Sequence, residues 1–308
     1  MSAVKEIRGV RLSLPATSAN LGPGFDAVGL ALSMHLTIEA QVATGFQIEA
    51  TGRDAALCGE LEHNLILDTY REVLARAGAT VVPLHLKLHN EIPLGMGCGS
   101  SAAALLAGVA LADHFGGLGL GDAGIVAEAS RLEGHPDNVA ACWYGGFTVS
   151  AQDGEEISVA TFGADSDRTG SWEMLLAVQP ASLATTKARA LLPDEYSKVD
   201  AIFNVQRASL LVAAFAHGRL DLLRTAMQDR MHQPYRAEVC PLLKKLLPLM
   251  NEPEIAGVAL SGAGPSVLVF LGAGTTMLEA ATRIQQVVGP DVELLPLRMG
   301  SGVERTLL

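Results

Sequence analysis

The chain has 308 residues, of which 49% are hydrophobic and 18% charged, and its formal net charge is −11. This length and composition predict a globular protein of two domains and exclude an intrinsically disordered chain. The acidic balance, with no run of lysines or arginines, excludes a non-specific binder of nucleic acid or of anionic membranes, so any phosphate must be bound locally.

Cysteine usage and the amino terminus point to one compartment. The cysteines at 58, 98, 142 and 240 show no paired spacing, and the first residues form no charged-then-apolar signal segment. Both features predict a reducing, cytoplasmic location. The longest apolar stretch, 102–112, is too short to span a bilayer and predicts a buried helix.

The first half of the chain alternates strands and helices. Strand patterns at 7–14 and 33–42 flank a Gly22-Pro23-Gly24 turn, which predicts that the turn joins two strands of one sheet. A helix is predicted at 64–77 and a strand at 83–93, where leucines alternate with polar residues. Two further helices are predicted at 101–114 and 122–133.

The second half begins with a polar stretch at 162–171, which predicts a domain boundary and divides the chain into domains 1–164 and 165–308. The remaining pattern predicts a strand at 172–180, helices at 198–216, 219–230 and 238–250, and strands on both sides of "SGAGPS". This irregular order favours an α+β fold of two domains over a long doubly wound sheet.

A glycine loop, "IPLGMGCGSSAA" at 92–103, joins a strand to a helix. Its alternate glycines let backbone amides converge, and the helix that begins near Ser100 points its free amides and positive dipole end at the same place. The loop has no lysine and lacks the P-loop spacing, yet it predicts an anion site in which Ser100 or Ser101 could ligate Mg²⁺. The alternative is a tight turn with Ser100 as helix cap.

A dinucleotide-binding site is a further alternative, because 97–102 and 22–27 both match G-x-G-x-x-[GA]. A strand rather than a helix follows the second match, and no acidic strand end lies about 20 residues after the first. Both contexts disfavour this interpretation.

A polar segment, "RLEGHPDNVA" at 131–140, places Glu133, His135, Asp137 and Asn138 close together. A carboxylate here could complete Mg²⁺ coordination, and Asp137 or Asn138 could meet a substrate hydroxyl. Zinc is disfavoured because this segment has only one histidine and no second one lies nearby in the sequence. The alternative is a set of structural helix caps.

Three more positions are candidates. The glycines of "SGAGPS" allow close backbone approach to the glycine loop or to phosphates at Gly262, although a plain hairpin turn is the alternative. Arg189 and Arg236 could converge on the carboxylate of a small acidic or zwitterionic substrate, or could be solvated surface residues.

Three stretches occur in the order found in one family: "PATSANLGPGFDAVGLAL", "IPLGMGCGSSAA" and "LSGAGPSVLVF", with "EGHPDNVA" and "GGF" between the last two. On these motifs the sequence resembles the GHMP kinase superfamily, and within it the homoserine kinases. The resemblance implies an N-terminal domain like domain 2 of ribosomal protein S5, a ferredoxin-like C-terminal domain, and a homodimer.

The resemblance also implies a reaction, the transfer of the γ-phosphoryl group of ATP to the side-chain hydroxyl of L-homoserine, with Mg²⁺, in threonine biosynthesis. The alternatives are a related kinase that acts on mevalonate, a sugar or shikimate, and a non-catalytic relative that only binds ligand.

Site residues follow from the same resemblance. The predicted homoserine-binding residues are Asn20, Asp26 (for the ammonium), His135, Thr185 with Thr186 as its rival, Arg189 and Arg236. The predicted ATP-binding residues are Asn64 (for adenine), Pro93, Leu94, Gly95, Met96, Gly97, Cys98, Gly99, Ser100, Ser101, Ala102, Ala103 and Gly262. Ser100 and Glu133 are predicted to hold Mg²⁺, with Glu128 as the alternative acid. Ser100, Asp137 and Asn138 are the predicted catalytic residues; Asp137 and Asn138 orient the hydroxyl, and Asp137 is a candidate proton acceptor.

Overall fold

The computed structural model describes residues 8–163, 169, 172–179 and 185–308, without the side chains of Thr185 and Thr186. The predicted boundary between residues 164 and 165 lies outside these residues. Two β-sheets, each covered by helices, make up the described structure.

The strands of the first sheet are β1 (Val10–Asn20), β2 (Gly24–Val42), β3 (Gln47–Gly52), β4 (Leu84–Asn90), β5 (Phe147–Asp153), β6 (Glu156–Phe162) and β11 (Glu304–Leu307). Those of the second sheet are β7 (Glu173–Val178), β8 (Ile255–Leu260), β9 (Val267–Leu271) and β10 (Glu293–Arg298). The helices are α1 (Ala55–Cys58), α2 (Leu65–Arg76), α3 (Ser100–Gly116), α4 (Gly121–Glu133), α5 (Asp137–Tyr144), α6 (Thr185–Arg189), α7 (Lys198–His217), α8 (Leu223–Ala226), α9 (Gln233–Arg236), α10 (Pro241–Leu246) and α11 (Met277–Val288).

The first sheet is built around β2. Strands β1 and β2 pair antiparallel across the glycine-proline turn, which confirms the predicted connection. The second half of β2 pairs with β4, whereas its first half pairs with β5, which forms a hairpin with β6. Strand β11 pairs antiparallel with β1, so the last strand returns to the first sheet.

Helix α3 lies in the core beside the first sheet and begins at the glycine loop. Its sequence is rich in alanine and leucine, and most of its residues are buried, because small side chains let α2 and α4 pack closely on it. A Cβ at Gly108 would overlap Thr69 of α2, so this glycine permits the closest approach between the two helices.

The second sheet has the strand order β10-β7-β9-β8 and is antiparallel throughout. An aromatic cluster joins it to the first sheet. Phe215 of α7 stacks on Phe147 of β5, with ring centroids 4.0 Å apart, and also contacts Trp172 at 5.0 Å and Phe270 of β9 at 6.1 Å.

Two predicted helices are shorter than expected. Within 219–230 only a 3₁₀ turn (Leu220–Leu222) and α8 form, and within 238–250 α10 passes into a second 3₁₀ turn (Leu247–Asn251). The cause in the first case is Asp229, whose carboxylate accepts backbone N–H groups from residues 231, 232 and 233 and so starts a new turn.

Helix α7 is also long and apolar enough, by length and composition, to meet the criteria for a membrane span, with 22% of its most apolar window buried. A single helix of this kind is weak evidence for a membrane, because helices of soluble proteins meet the same criteria.

Candidate active site

A cleft lies where the turn between β1 and β2, the glycine loop, the start of α5, α6 and the turn between β8 and β9 meet. Its lining residues are Ala19, Asn20, Asp26, Gly95, Gly97, Cys98, Gly99, Ser100, Ser101, Glu133, His135, Asp137, Asn138, Arg189, Arg236, Gly262 and Ala263. The structure therefore brings residues from all the predicted motifs into one cleft.

Two residues at the turn between β1 and β2 have unusual backbone conformations. Asn20 has φ 71° and Asp26 has φ 56°, in the left-handed region that residues other than glycine seldom adopt. The Asn20 side chain holds the turn, because its Oδ1 accepts the Asp26 N–H at 3.0 Å and its Nδ2 donates to the Gly262 carbonyl at 3.0 Å. Such strain is typical of functional sites.

The half-exposed carboxylate of Asp26 pairs with Arg189 of α6. Both guanidinium nitrogens of Arg189 donate to the two carboxylate oxygens at 2.8 Å. This hydrogen bond is the largest cause of the raised pKa of Arg189. Asp26 and Arg189 thus neutralise each other at the mouth of the cleft.

Arg236 of α9 is a different case, because it is 2% exposed and has no carboxylate partner among the residues that the structure describes. It donates to the carbonyls of Gly262 at 3.2 Å and Ala188 at 3.4 Å. Burial and the neighbouring Arg189 lower the pKa of Arg236. The charges of Asp26 and Asp229 oppose this shift without forming a salt bridge to Arg236. A buried guanidinium that lines a cleft and has no salt bridge is suited to bind an anion.

His232 lies one helical turn before Arg236 and contacts its guanidinium. The imidazole is fully buried and its Nε2 lies 2.6 Å from the Gly22 carbonyl, which can only accept, so Nε2 carries the proton. Burial lowers the pKa of His232 and keeps the ring neutral. Its Nδ1, 3.3 Å from the Arg236 guanidinium, is then an acceptor.

The glycine loop has the conformation that its glycines allow. Gly95, Gly97 and Gly99 have φ of 68°, 74° and 69°. A Cβ at Gly97 would overlap the Ser261 carbonyl oxygen, and one at Gly99 would overlap Thr17 Oγ1. Gly99 precedes the first turn of α3 with no side-chain cap, so the amides and the positive dipole end of α3 face the cleft.

The predicted loop contacts are divided by the structure. Gly95, Gly97, Cys98, Gly99, Ser100 and Ser101 line the cleft, and Pro93, Leu94, Met96, Ala102 and Ala103 lie beside it in the same loop and helix without lining it. The Leu94 N–H donates to Asp54 at 3.3 Å instead.

Glu133, at the end of α4, forms the acidic side of the cleft. Its Oε2 accepts the Ser101 hydroxyl at 2.8 Å. Burial raises the pKa of Glu133, and the Ser101 hydrogen bond opposes this. Ser101 therefore contacts this acid, and Ser100, the predicted Mg²⁺ ligand, lines the same cleft. The alternative acid, Glu128, lies outside the cleft and is ion-paired with Arg76 and Arg131, each at 2.9 Å.

The start of α5 supplies a second polar group. His135 Nδ1 donates to Asp137 Oδ1 at 2.6 Å, and the Asn138 N–H donates to the same oxygen at 2.7 Å. Burial lowers the pKa of His135. The hydrogen bond and charge of Asp137 raise the pKa by a larger amount, so the net shift is upward. Ligand atoms of Asp26, His135 and Asp137 lie within 4.8 Å of one another.

Gly29 in β2 allows helix α5 to pack closely on the first sheet. A Cβ at Gly29 would overlap the Asp137 carbonyl oxygen. Asn138 Oδ1 accepts the buried Thr17 hydroxyl of β1 at 2.7 Å.

One predicted residue, Asn64, has other surroundings. Asn64 lies outside the cleft and caps α2, and its Nδ2 donates to the carbonyls of Cys58 and Glu60. Thr185 and Thr186 begin α6, but their side chains lie outside the described residues. Contacts of Asn64 with adenine and of Thr185 with substrate stay predictions.

Sequence reasoning missed Thr17, His232 and Ser261. Ser261 donates its hydroxyl to the Gly97 carbonyl at 2.7 Å and so holds the glycine loop. Only His232 left a sequence signal, its spacing of four residues from Arg236 on one helical face. The contacts of Thr17 and Ser261 span 121 and 164 residues and leave no local pattern.

Comparisons with known proteins identify the family of this chain. Models of the N-terminal and C-terminal GHMP kinase domains match residues 64–146 and 211–286. The homoserine kinase of Solibacter usitatus is 48% identical over 92% of each chain. A homoserine kinase of Thermus thermophilus is 39% identical over 95% of this chain and 97% of the relative.

Solved structures are similar over the whole chain. A Listeria monocytogenes structure described as a candidate homoserine kinase superposes with a TM-score of 0.73 at 31% identity and covers 96% of this chain and 99% of its own. A homoserine kinase from Cytophaga hutchinsonii has a TM-score of 0.76 at 22% identity, covers 99% of both chains, and supports the fold alone.

Proposed function

Since the chain belongs to the GHMP kinase family, in its homoserine kinase branch, we propose that it transfers the γ-phosphoryl group of ATP to the side-chain hydroxyl of L-homoserine. The product is O-phospho-L-homoserine, an intermediate of threonine biosynthesis. One observation supports this best: a single cleft combines a glycine loop at a helix N-terminus with an acid and two arginines of complementary charge to an amino acid.

The charges match a zwitterion. The buried Arg236 guanidinium forms no salt bridge with a described residue, and we propose that it receives the substrate carboxylate together with Arg189. Asp26, which Arg189 neutralises in this structure, is freed to bind the ammonium when the carboxylate takes over Arg189. Substrate binding thus exchanges one internal ion pair for two contacts with the ligand.

The glycine loop binds the ATP phosphates. Left-handed glycines open the loop, and the first-turn amides of α3 supply donors to negatively charged oxygens without any lysine. This preorganised set stabilises the charge on the transferring phosphoryl group, which is the main requirement of phosphoryl transfer.

The residues of the cleft fit Mg²⁺. Glu133 and the two loop serines offer the oxygen ligands that this ion prefers, and the Ser101–Glu133 contact already holds the acid beside the phosphate loop. We propose that Glu133 and a loop serine hold Mg²⁺, which neutralises phosphate charge when bound.

Asp137 and Asn138 orient the substrate hydroxyl. Both lie at the start of α5 and line the same cleft as the two arginines and the glycine loop. Asp137 Oδ1 already accepts two hydrogen bonds, from His135 and from the Asn138 N–H. We propose that alignment and charge stabilisation supply most of the rate, with Asp137 as the candidate proton acceptor.

A substrate panel tests the proposal. ADP release is measured with ATP and Mg²⁺ and with L-homoserine, mevalonate, shikimate or galactose as acceptor. We expect turnover with homoserine alone to rise clearly above the rate without acceptor. Turnover with another acceptor instead would show that the protein is a different kinase of the family. No acceptor-dependent turnover would favour a non-catalytic relative.

We also propose a homodimer in the cytoplasm, as the family resemblance implies. Light scattering on the eluting peak of a sizing column measures the mass directly. A monomer across the micromolar range would contradict the dimer.

A further inference from the structure

Thr17 lies at the point where three parts of the cleft touch. It is fully buried in β1, its N–H donates to the Cys98 carbonyl of the glycine loop at 3.0 Å, and its hydroxyl lies against Gly99. The same hydroxyl donates to Asn138 Oδ1 at 2.7 Å. One side chain therefore links the phosphate loop to the start of α5.

The hydrogen bond determines which way the Asn138 amide faces. A buried hydroxyl is stabilised by donating its hydrogen, and Asn138 Oδ1 is the acceptor of the Thr17 hydroxyl among the described residues. If the amide were turned over, Nδ2 and the hydroxyl would both be donors and the hydroxyl hydrogen would be left without a partner. Oδ1 therefore faces Thr17.

Nδ2 is left free by this arrangement. Asn138 is 8% exposed and lines the cleft, and no described residue accepts a hydrogen bond from its Nδ2. The cleft, which the glycine loop and both arginines also line, thus receives an amide donor from Asn138. A fixed donor there matches the negative charge of the transferring phosphoryl oxygens.

We propose that Thr17 is a positioning residue for phosphoryl transfer: its hydroxyl holds Asn138 Oδ1 so that Nδ2 faces the reacting groups as a donor. The proposal rests on the proposed kinase function. It assigns Asn138 the role of a donor, not of an acceptor for the substrate proton, and it gives Thr17 no contact with either ligand.

The first test compares kcat and KM for Thr17→Val and Thr17→Ser. Valine keeps the shape and removes the donor, and we expect kcat to fall by about a hundredfold, as a misplaced catalytic group does, with KM for ATP and homoserine within about threefold. Serine keeps the donor and should restore kcat to within about threefold of the wild type. An equal loss in both variants would overturn the proposal, because packing of the methyl group would then explain it.

The matched control is Thr148→Val. Thr148 is also fully buried in the first sheet and its hydroxyl also donates to one acceptor, the Gly29 carbonyl at 3.3 Å, outside the cleft. We expect this variant to lose stability with unchanged kcat. A loss of kcat equal to that of Thr17→Val would show a general response to the loss of a buried hydroxyl and would overturn the proposal.

The second test uses Asn138. In the Asn138→Ala background, Thr17→Val should have little further effect on kcat, since its target is gone. Asn138→Asp replaces the donor by an acceptor and should be at least as slow as Asn138→Ala. Independent, multiplying effects of the two substitutions, or an Asn138→Asp variant near wild-type rate, would overturn the proposal; the latter also decides the case if Thr17→Val does not fold.

A failure of the proposed function gives a different result. If wild-type protein does not phosphorylate homoserine, the function is wrong, and the contact is then measured by a double-mutant cycle on the free energy of unfolding. Non-additive unfolding free energies for Thr17→Val and Asn138→Ala would support the hydrogen bond, and additive ones would contradict it.

Discussion

Asp26 is the residue that best distinguishes an amino-acid substrate from other acceptors. Asp26→Asn removes the charge that binds the ammonium and should lower kcat/KM for homoserine by about a hundredfold or more, as loss of one member of a charged contact does. The matched control is Asp221→Asn, because Asp221 forms a similar two-point pair with Arg219 on the surface. Steady-state kinetics of both variants check this; equal kcat/KM values would contradict it.

His135 should make stability depend on pH. The folded state raises its pKa above the unfolded value, so protonated His135 stabilises the fold fully below the ordinary histidine pKa of about 6.5, and this stabilisation is lost as pH rises through the folded pKa. Urea unfolding from pH 6 to 9 should show the advantage of wild type over His135→Gln shrinking with pH. In the Asp137→Asn background, the stability effect of His135→Gln should depend less steeply on pH. A wild-type advantage that grows with pH would contradict the upward pKa shift of His135.

Much of the site at the level of residues could be predicted from the sequence. Asn20, Asp26, Glu133 and the two arginines belong to short motifs, and the structure brings them to one cleft. Thr17 could not be predicted as a site residue, because it acts through a contact with Asn138, 121 positions away, whereas His232 left a signal only in its spacing of four residues from Arg236. Which loop serine contacts Glu133 also depends on the rotation of α3, which sequence spacing does not determine.

Among the elements, the glycine loop gives the sharpest prediction. Gly99 and Gly119 both have φ 69°, but a Cβ at Gly99 would overlap Thr17 whereas one at Gly119 meets open space. The left-handed backbone should make alanine at either position cost about 1–2 kcal/mol of stability, and at Gly99 the overlap with Thr17 adds to this cost. Only Gly99→Ala should also lower ATP affinity with Mg²⁺ by more than about tenfold, equivalent to one lost charge-assisted hydrogen bond.

Calorimetric titration of ATP measures this difference. Equal ATP affinity in Gly99→Ala and Gly119→Ala would contradict the role of the loop in phosphate binding.

The helices α2, α3 and α4 form near their predicted positions. The strands β1 and β2 overlap the predicted ranges 7–14 and 33–42 but extend further towards the turn that joins them. Helix α5 was not predicted, since it follows a polar break and starts at Asp137, whose carboxylate accepts the next N–H. In the segment 219–230, the Asp229 carboxylate accepts nearby backbone N–H groups, and these local side-chain hydrogen bonds compete with a continuous helix.

In the whole molecule, the aromatic cluster should make the two sheets unfold together. Phe215 is 2% exposed and contacts rings from both sheets, so Phe215→Ala should cost about 3–5 kcal/mol. Val205→Ala on the exposed face of the same helix, where Val205 is 66% exposed, should change stability by less than about 0.5 kcal/mol. Urea unfolding followed by far-UV circular dichroism and tryptophan fluorescence checks this, and transitions of the two signals that separate in the wild type would contradict it.

The predicted two-domain α+β fold of the GHMP kinases is confirmed by the family models and by the solved homoserine kinase structures. The return of β11 to β1 was not predicted, because Val10 and Leu307 pair across almost the whole chain and no local pattern encodes that register. The boundary between residues 164 and 165 stays a prediction.

The central claim is that one cleft holds the ATP phosphates and an amino acid in position for transfer. ³¹P NMR of purified protein with ATP, Mg²⁺ and L-homoserine measures this directly. We predict that the γ-phosphate signal is replaced, one for one, by the phosphomonoester signal of O-phospho-L-homoserine. Release of inorganic phosphate at a rate independent of homoserine, with no phosphomonoester, would contradict the account.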